Sequence, residues 1–102
     1  MGFKVVPTES FKHEYDSILH YLIEILDAPP SASQLVKAVE KMRIALEDNP
    51  KCRPISQKPI LNRVELREHL AKNYVVVYRI ENASVYLEHM FHQKQDFEKL
   101  ID

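Results

Sequence analysis

The chain of 102 residues contains one glycine, Gly2, and no tryptophan. With a single glycine, no glycine-rich phosphate-cradling loop is possible. It contains one cysteine, Cys52, so no internal disulfide can form and a reducing compartment is expected. Cys52 is also poorly placed as a nucleophile, in the proline-flanked stretch NPKCRPISQKP with no base beside it. Long hydrophobic runs are missing. The longest, around YVVVY, has the length of a strand, and the N-terminal MGFKVVP lacks the apolar region of a signal peptide. A cytoplasmic protein without a membrane span is therefore expected. There is no Cys/His cluster with zinc spacing and no arguable Ser-His-Asp arrangement, so neither metal nor cofactor is expected. His13 and His20, seven apart on a polar helix face, read as solvated surface.

An excess of one charge sign is missing too, since the net charge is −1. Strongly basic nucleic-acid binders are not matched by that global value. The distribution is less even. Residues 1–50 carry five basic and eight acidic side chains, residues 51–79 seven and two, and residues 80–102 two and five, giving −3, +5 and −3. An anionic partner would meet the protein at the middle block, unless that block is only a solvated loop and sheet face.

What is present is an ordinary globular composition, 45% hydrophobic and 28% charged. The length fits a single domain spanning residues 1–102. FKVVP reads as a short first strand that stops at Pro7. In TESFKHEYDSILHYLIEILDA, Phe11, Tyr15, Ile18, Leu19, Leu22 and Leu26 make one apolar helical stripe, with Thr8 or Ser10 as cap. DAPPS ends that helix, because a residue before proline is pushed out of helical geometry. A second helix follows, with Ser31 and Gln34 at capping-box spacing and Leu35, Ala38, Val39, Met42 and Leu46 buried; Asn49-Pro50 terminates it. So short a link predicts an antiparallel helical hairpin.

Beyond the proline-rich connection the period changes to that of strands. ILNRVELREHL alternates imperfectly, YVVVYRI reads as a central strand, and SVYLEHMFH as a third strand of this half. ENAS joins the last two as a hairpin, with Asn82 best able to take a positive φ. DFEKLI predicts a closing helical turn with Phe97, Leu100 and Ile101 on one side. The fold class is α+β in the order β-αα-βββ: a curved, mainly antiparallel sheet packed on a helical hairpin, with a short C-terminal helix. The opposite, concave face of the sheet would be left for a partner.

This order, and the stretch LREHLAKNYVVVYRIENASVYLEHMFHQKQDFEKL, resemble the RelE/ParE superfamily, the toxins of type II toxin–antitoxin pairs, also known as plasmid stabilisation proteins. Its members carry an arginine on the second strand, a strand of the type NYxVxYRV, a hairpin, and a closing strand ending like LRVxHGRRD. Arg67 takes the arginine position; Asn73, Tyr74, Tyr78 and Arg79 match the central strand; His92, Lys94 and Asp96 match the closing motif. His89 stands where the family has arginine, Gln93 replaces the glycine and Gln95 the second arginine. The resemblance implies a bacterial protein that inhibits growth when free of a cognate antitoxin, with which it forms a hetero-oligomer. It implies one of two targets, ribosome-bound mRNA in RelE-like members or DNA gyrase in ParE-like members.

Metal-independent RNA cleavage needs a base, an acid and cations around one phosphate. Histidine suits the proton roles and arginine grips phosphate oxygens in pairs. The catalytic candidates are accordingly Arg67, His92 and Lys94, with His89 as the other histidine. Arg63, Arg67, Lys72 and Arg79 are the candidates for phosphate or target binding. Each has a plainer reading: His92 as a strand-end histidine bonded to backbone or to Asp96, Arg79 as a structural ion pair, and His89 as a sheet histidine. His89 and His92 differ by an odd number and should face opposite sides of the sheet; His89 would share its side with Val85, Leu87 and Phe91. Loss of the basic residues at positions 89 and 95 also allows a toxin-fold interaction domain without toxicity.

Overall fold

The computed structural model describes residues 2–58 and 64–95. Strand β1 (Lys4–Pro7) leads into helix α1 (Glu9–His20), a wide turn over Tyr21–Ile25, and helix α2 (Pro29–Asp48). A short 3-10 turn (Pro50–Cys52) and a connection lead to strands β2 (Arg67–Ala71), β3 (Tyr74–Glu81) and β4 (Ser84–His92). The four strands form one sheet in the order β1-β4-β3-β2. β1 runs parallel to β4, and the other pairs are antiparallel. The mixed α+β architecture in the expected order is therefore present. The C-terminal turn around Phe97, Leu100 and Ile101 lies outside the described residues.

Each element starts where its chemistry allows. Thr8 caps α1, its hydroxyl oxygen accepting the Phe11 N–H at 3.2 Å while donating to the Leu87 carbonyl at 2.7 Å. One side chain thus fastens the helix start to β4. The last turn widens to i→i+5 bonding, with Leu26 N–H on the Tyr21 carbonyl at 3.0 Å. Asp27 then turns left-handed at φ 51, and Ala28 N–H closes on the Leu22 carbonyl at 2.8 Å.

The wide turn corrects one expectation. Leu22 is buried, but Leu26 is 52% exposed and does not belong to the buried stripe. Leu26 is the cap of the widened turn, and the chain leaves the helix at Asp27, φ 51, before a further turn could bury it. The capping box is a second correction. α2 begins at Pro29, two residues before Ser31, and its cap Ala28 makes no side-chain bond. Two prolines lack the N–H groups that a cap would satisfy and hold helical φ from the start.

The principal core joins Phe11, Leu22, Ala32, Leu35, Met42 and Leu46 of the helical layer to Val76, Tyr78, Val85, Leu87 and Met90 of the sheet. The other sheet face carries a smaller cluster, Leu66, Val75, Val77 and Phe91. Part of that face, expected to lie open, is covered by the chain's own connection. Ile55 pairs with Arg67, Ser56 N–H donates to the Leu66 carbonyl at 2.8 Å, and Lys58 Nζ lies 5.8 Å from the Phe91 ring centre. Where an alternating strand was expected from Ile60, β2 begins only at Arg67. Glu65 has φ 56 and residues 64–65 form a turn, while residues 60–63 lie outside the described residues. Asn82 takes the expected positive φ, 56, in the β3–β4 turn.

Candidate functional site

The candidate side chains are distributed over the sheet by its register. β4 carries one irregularity: Val77 pairs with His89 and Tyr78 with Leu87, so Glu88 is an extra residue, a β-bulge. The bulge moves every later side chain of β4 to the opposite face. His89 therefore lies on the side of Val77 and Phe91, not on that of Val85 and Leu87, which corrects the expected grouping. His89 and His92 still face opposite sides, because the bulge precedes both.

Glu14 of α1 holds this bulge from the helical layer. Its carboxylate accepts the Met90 N–H at 2.9 Å and lies 3.1 Å from His89 Nδ1. Sequence reasoning passed over Glu14, although a signal exists: the buried positions Val85, Leu87 and Met90 break the period of two by one residue.

At the end of β4, His92 sits opposite Tyr74, ring edge to ring face at 5.4 Å. Its Nδ1 accepts the Lys94 backbone N–H at 3.1 Å, and its own N–H donates to Gln95 Oε1 at 2.7 Å. An Nδ1 used as acceptor carries no proton, so the neutral ring holds its proton on Nε2 and has no free lone pair to serve as base. Ser17, Ile18, Tyr21, Tyr74, His92 and Gln95 line a cleft of about 390 Å³ here. Burial, and then the neighbouring Tyr21, push the Tyr74 hydroxyl up from its ordinary pKa. Lys94 is exposed. Lys72, in the β2–β3 turn at φ 58, donates from Nζ to Gln34 Oε1 on α2.

Arg67 opens β2 opposite Tyr78, and its Nη1 donates to the Arg53 carbonyl at 2.5 Å. Tyr78 is fully buried, with its hydroxyl donating to the Pro50 carbonyl at 2.7 Å. Burial pushes that hydroxyl up to about 12; Cys52 adds to the rise, while Arg67 and Arg53 oppose it. Arg67 and His92 are not brought together. Tyr78 and Tyr74, their partners, lie four positions apart on β3, with one strand spacing to each side. That separates them by about 13 Å along the sheet and about 10 Å across it.

Arg79 is occupied by its own neighbours. Glu81 and Glu88 both bind its guanidinium, which lies 4.3 Å above the centre of the Tyr86 ring. Those two carboxylates, Glu81 first, raise its already high pKa. This is the ion pair the plainer reading expected. Arg63 and Asp96 lie outside the described residues. Among the described residues, no group of three or more His, Cys, Asp or Glu side chains is arranged to hold a metal ion. None of the described helices is long and apolar enough to cross a membrane.

Comparison with known proteins decides the family. The family model for the ParE toxin of the type II toxin–antitoxin system, parDE, matches residues 5–97. The chain belongs to that family. This ParE-family protein is the toxin component of a type II toxin–antitoxin pair. No curated protein matches its sequence. Among solved structures it is similar to a chain of the chromosomal ParDE toxin–antitoxin system from P. aeruginosa, with a TM-score of 0.65 and 16% identity. That match covers 88% of this chain and 95% of the other, and at such low identity it speaks for the fold.

Proposed function

We propose that this ParE-family toxin arrests growth by binding DNA gyrase, without chemistry of its own, and that a cognate antitoxin silences it in a hetero-oligomer in the bacterial cytoplasm. The observation that carries this reading is the separation of Arg67 from His92. Cleavage of RNA requires acid, base and cations around one phosphate, within hydrogen-bond reach of its oxygens. Side chains whose positions differ by about 13 Å along a sheet and about 10 Å across it do not meet at one phosphate. The tied Nδ1 of His92 and the carboxylate-filled guanidinium of Arg79 support the same reading.

Two assays with the purified toxin test it. Supercoiling by gyrase should fall and cleaved DNA should accumulate, while reporter mRNA in a translation extract stays full length. Cleaved message beside unaltered supercoiling would replace this reading with the RelE-like one. Unaffected growth on expression without antitoxin would instead favour a toxin fold that has lost its toxicity.

A further inference from the structure

Three cations of the positive block, Arg53, Arg67 and Lys72, lie along one margin of the fold, where β2 meets α2. At one end, Arg67 binds the Arg53 carbonyl, and both guanidinium charges act on the Tyr78 hydroxyl. At the other end, Lys72 leaves β2 and reaches Gln34 of α2. Lys41, seven residues beyond Gln34 and exposed, lies on the same flank of that helix.

Three nearby acids are engaged elsewhere. Glu68 alternates to the other sheet face, where Lys58 at 2.7 Å and Ser56 hold it. Glu40 and Glu47 are both held by Arg43. Among the described residues, Lys41, Arg53, Arg67 and Lys72 have no carboxylate within 4.0 Å. Cations gathered without acids repel one another, and an anionic partner relieves that repulsion.

We propose that this margin, through Lys41, Arg53, Arg67 and Lys72, binds the phosphate backbone of duplex DNA, so that the toxin engages gyrase while gyrase holds its DNA. The second half rests on the gyrase reading above; the contact with DNA does not. The geometry favours phosphate over an acidic protein. The six residues from Arg67 to Lys72 span about 17 Å of strand. A DNA strand presents a charge about every 3.4 Å of axis, so a duplex along the margin offers its cations more than one phosphate. A toxin with a net charge of −1 would use such a local patch for orientation on DNA rather than for tight free binding.

The test is fluorescence anisotropy of a labelled duplex of about 20 base pairs at low and rising salt, with full-length toxin and no gyrase present. Wild type should bind, with log affinity falling linearly in log salt. Arg53→Gln/Arg67→Gln and Lys41→Gln/Lys72→Gln should each weaken binding about tenfold and flatten the slope by about 2, close to 0.9 per lost phosphate contact. Lys4→Gln, on β1 at the opposite edge of the sheet, should match wild type. Thermal melts confirm folding; if loss of the Arg67 contact unfolds the chain, Arg53→Gln alone carries that arm. Unchanged binding in both paired variants, or no binding of wild type at low salt, overturns the proposal. If wild type ignores the duplex but binds a poly-glutamate peptide through these residues, the margin serves an acidic protein instead. Wild type that binds the duplex but leaves gyrase untouched sinks the gyrase reading alone.

Discussion

Tyr78 shows how one side chain joins distant parts of this fold. Its ring is buried in the core and its hydroxyl closes on the Pro50 carbonyl, 28 residues away in sequence. Tyr78→Phe keeps the ring but leaves that carbonyl without its donor, and should cost about 1–2 kcal/mol in chemical denaturation. The same residue sets an alkaline limit. A phenol held at about 12 in the folded state, against 10.0 in the unfolded chain, favours folding while it stays protonated. That contribution is intact below pH 10 and is lost as pH rises toward 12, by about 2–3 kcal/mol. Denaturant titrations at pH 9 and pH 12 should show the drop, and Tyr78→Phe should remove most of it. Burial raises Tyr15 and Tyr74 in the same direction, which leaves a smaller remainder.

Glu14 is the second such residue, and it binds β4 directly after the bulge that sets the side on which the strand's end presents its groups. Its carboxylate binds the Met90 N–H and His89 across the interface between α1 and β4. Glu14→Ala should cost about 1–2 kcal/mol and loosen the bulge, read as faster amide exchange at Met90. Exchange at Met90 as slow as in wild type would show that the ladder alone holds the bulge.

Among the elements, the end of the first helix separates what local pattern can forecast from what it cannot. Leu22 and Leu26 both fit the helical stripe, yet one is buried and the other 52% exposed. Leu22→Ala should therefore cost about 2–5 kcal/mol, while Leu26→Lys should stay within about 0.5 kcal/mol of wild type. Equal costs in thermal melts would mean that the widened turn does not persist in solution. The strands of the C-terminal half were legible because β-branched and aromatic residues crowd into YVVVYRI and SVYLEHMFH. The bulge at Glu88 was legible only as a broken alternation, and the late start of β2 was hidden by an apparent alternation through Val64. At the bulge and at β2 the break goes with contacts far along the chain, from Glu14 and Ser56, while at the first helix it is local, at the left-handed Asp27.

For the whole molecule, the question is whether the candidate residues form one centre. The motif order YRI, then HQKQD, suggested a family and a set of charged residues, and the family is correct. Motif order says nothing of distance. His92→Ala should leave growth arrest intact on expression without antitoxin, since the gyrase reading gives its imidazole no proton to move; a folded variant that no longer arrests growth would restore His92 to the chemistry. The elements, their order, the hairpin at Asn82 and the gathering of positive charge in the middle block follow from local spacing and composition, because hydrophobic period and turn chemistry act over a few neighbouring residues. Only the tertiary structure could decide that Arg67 and His92 stand apart, that Arg79 is filled by Glu81 and Glu88, and that the connection from α2 folds over the second sheet face. Those outcomes depend on strand register and on one inserted residue at Glu88, where a shift of a single position reverses every side chain that follows.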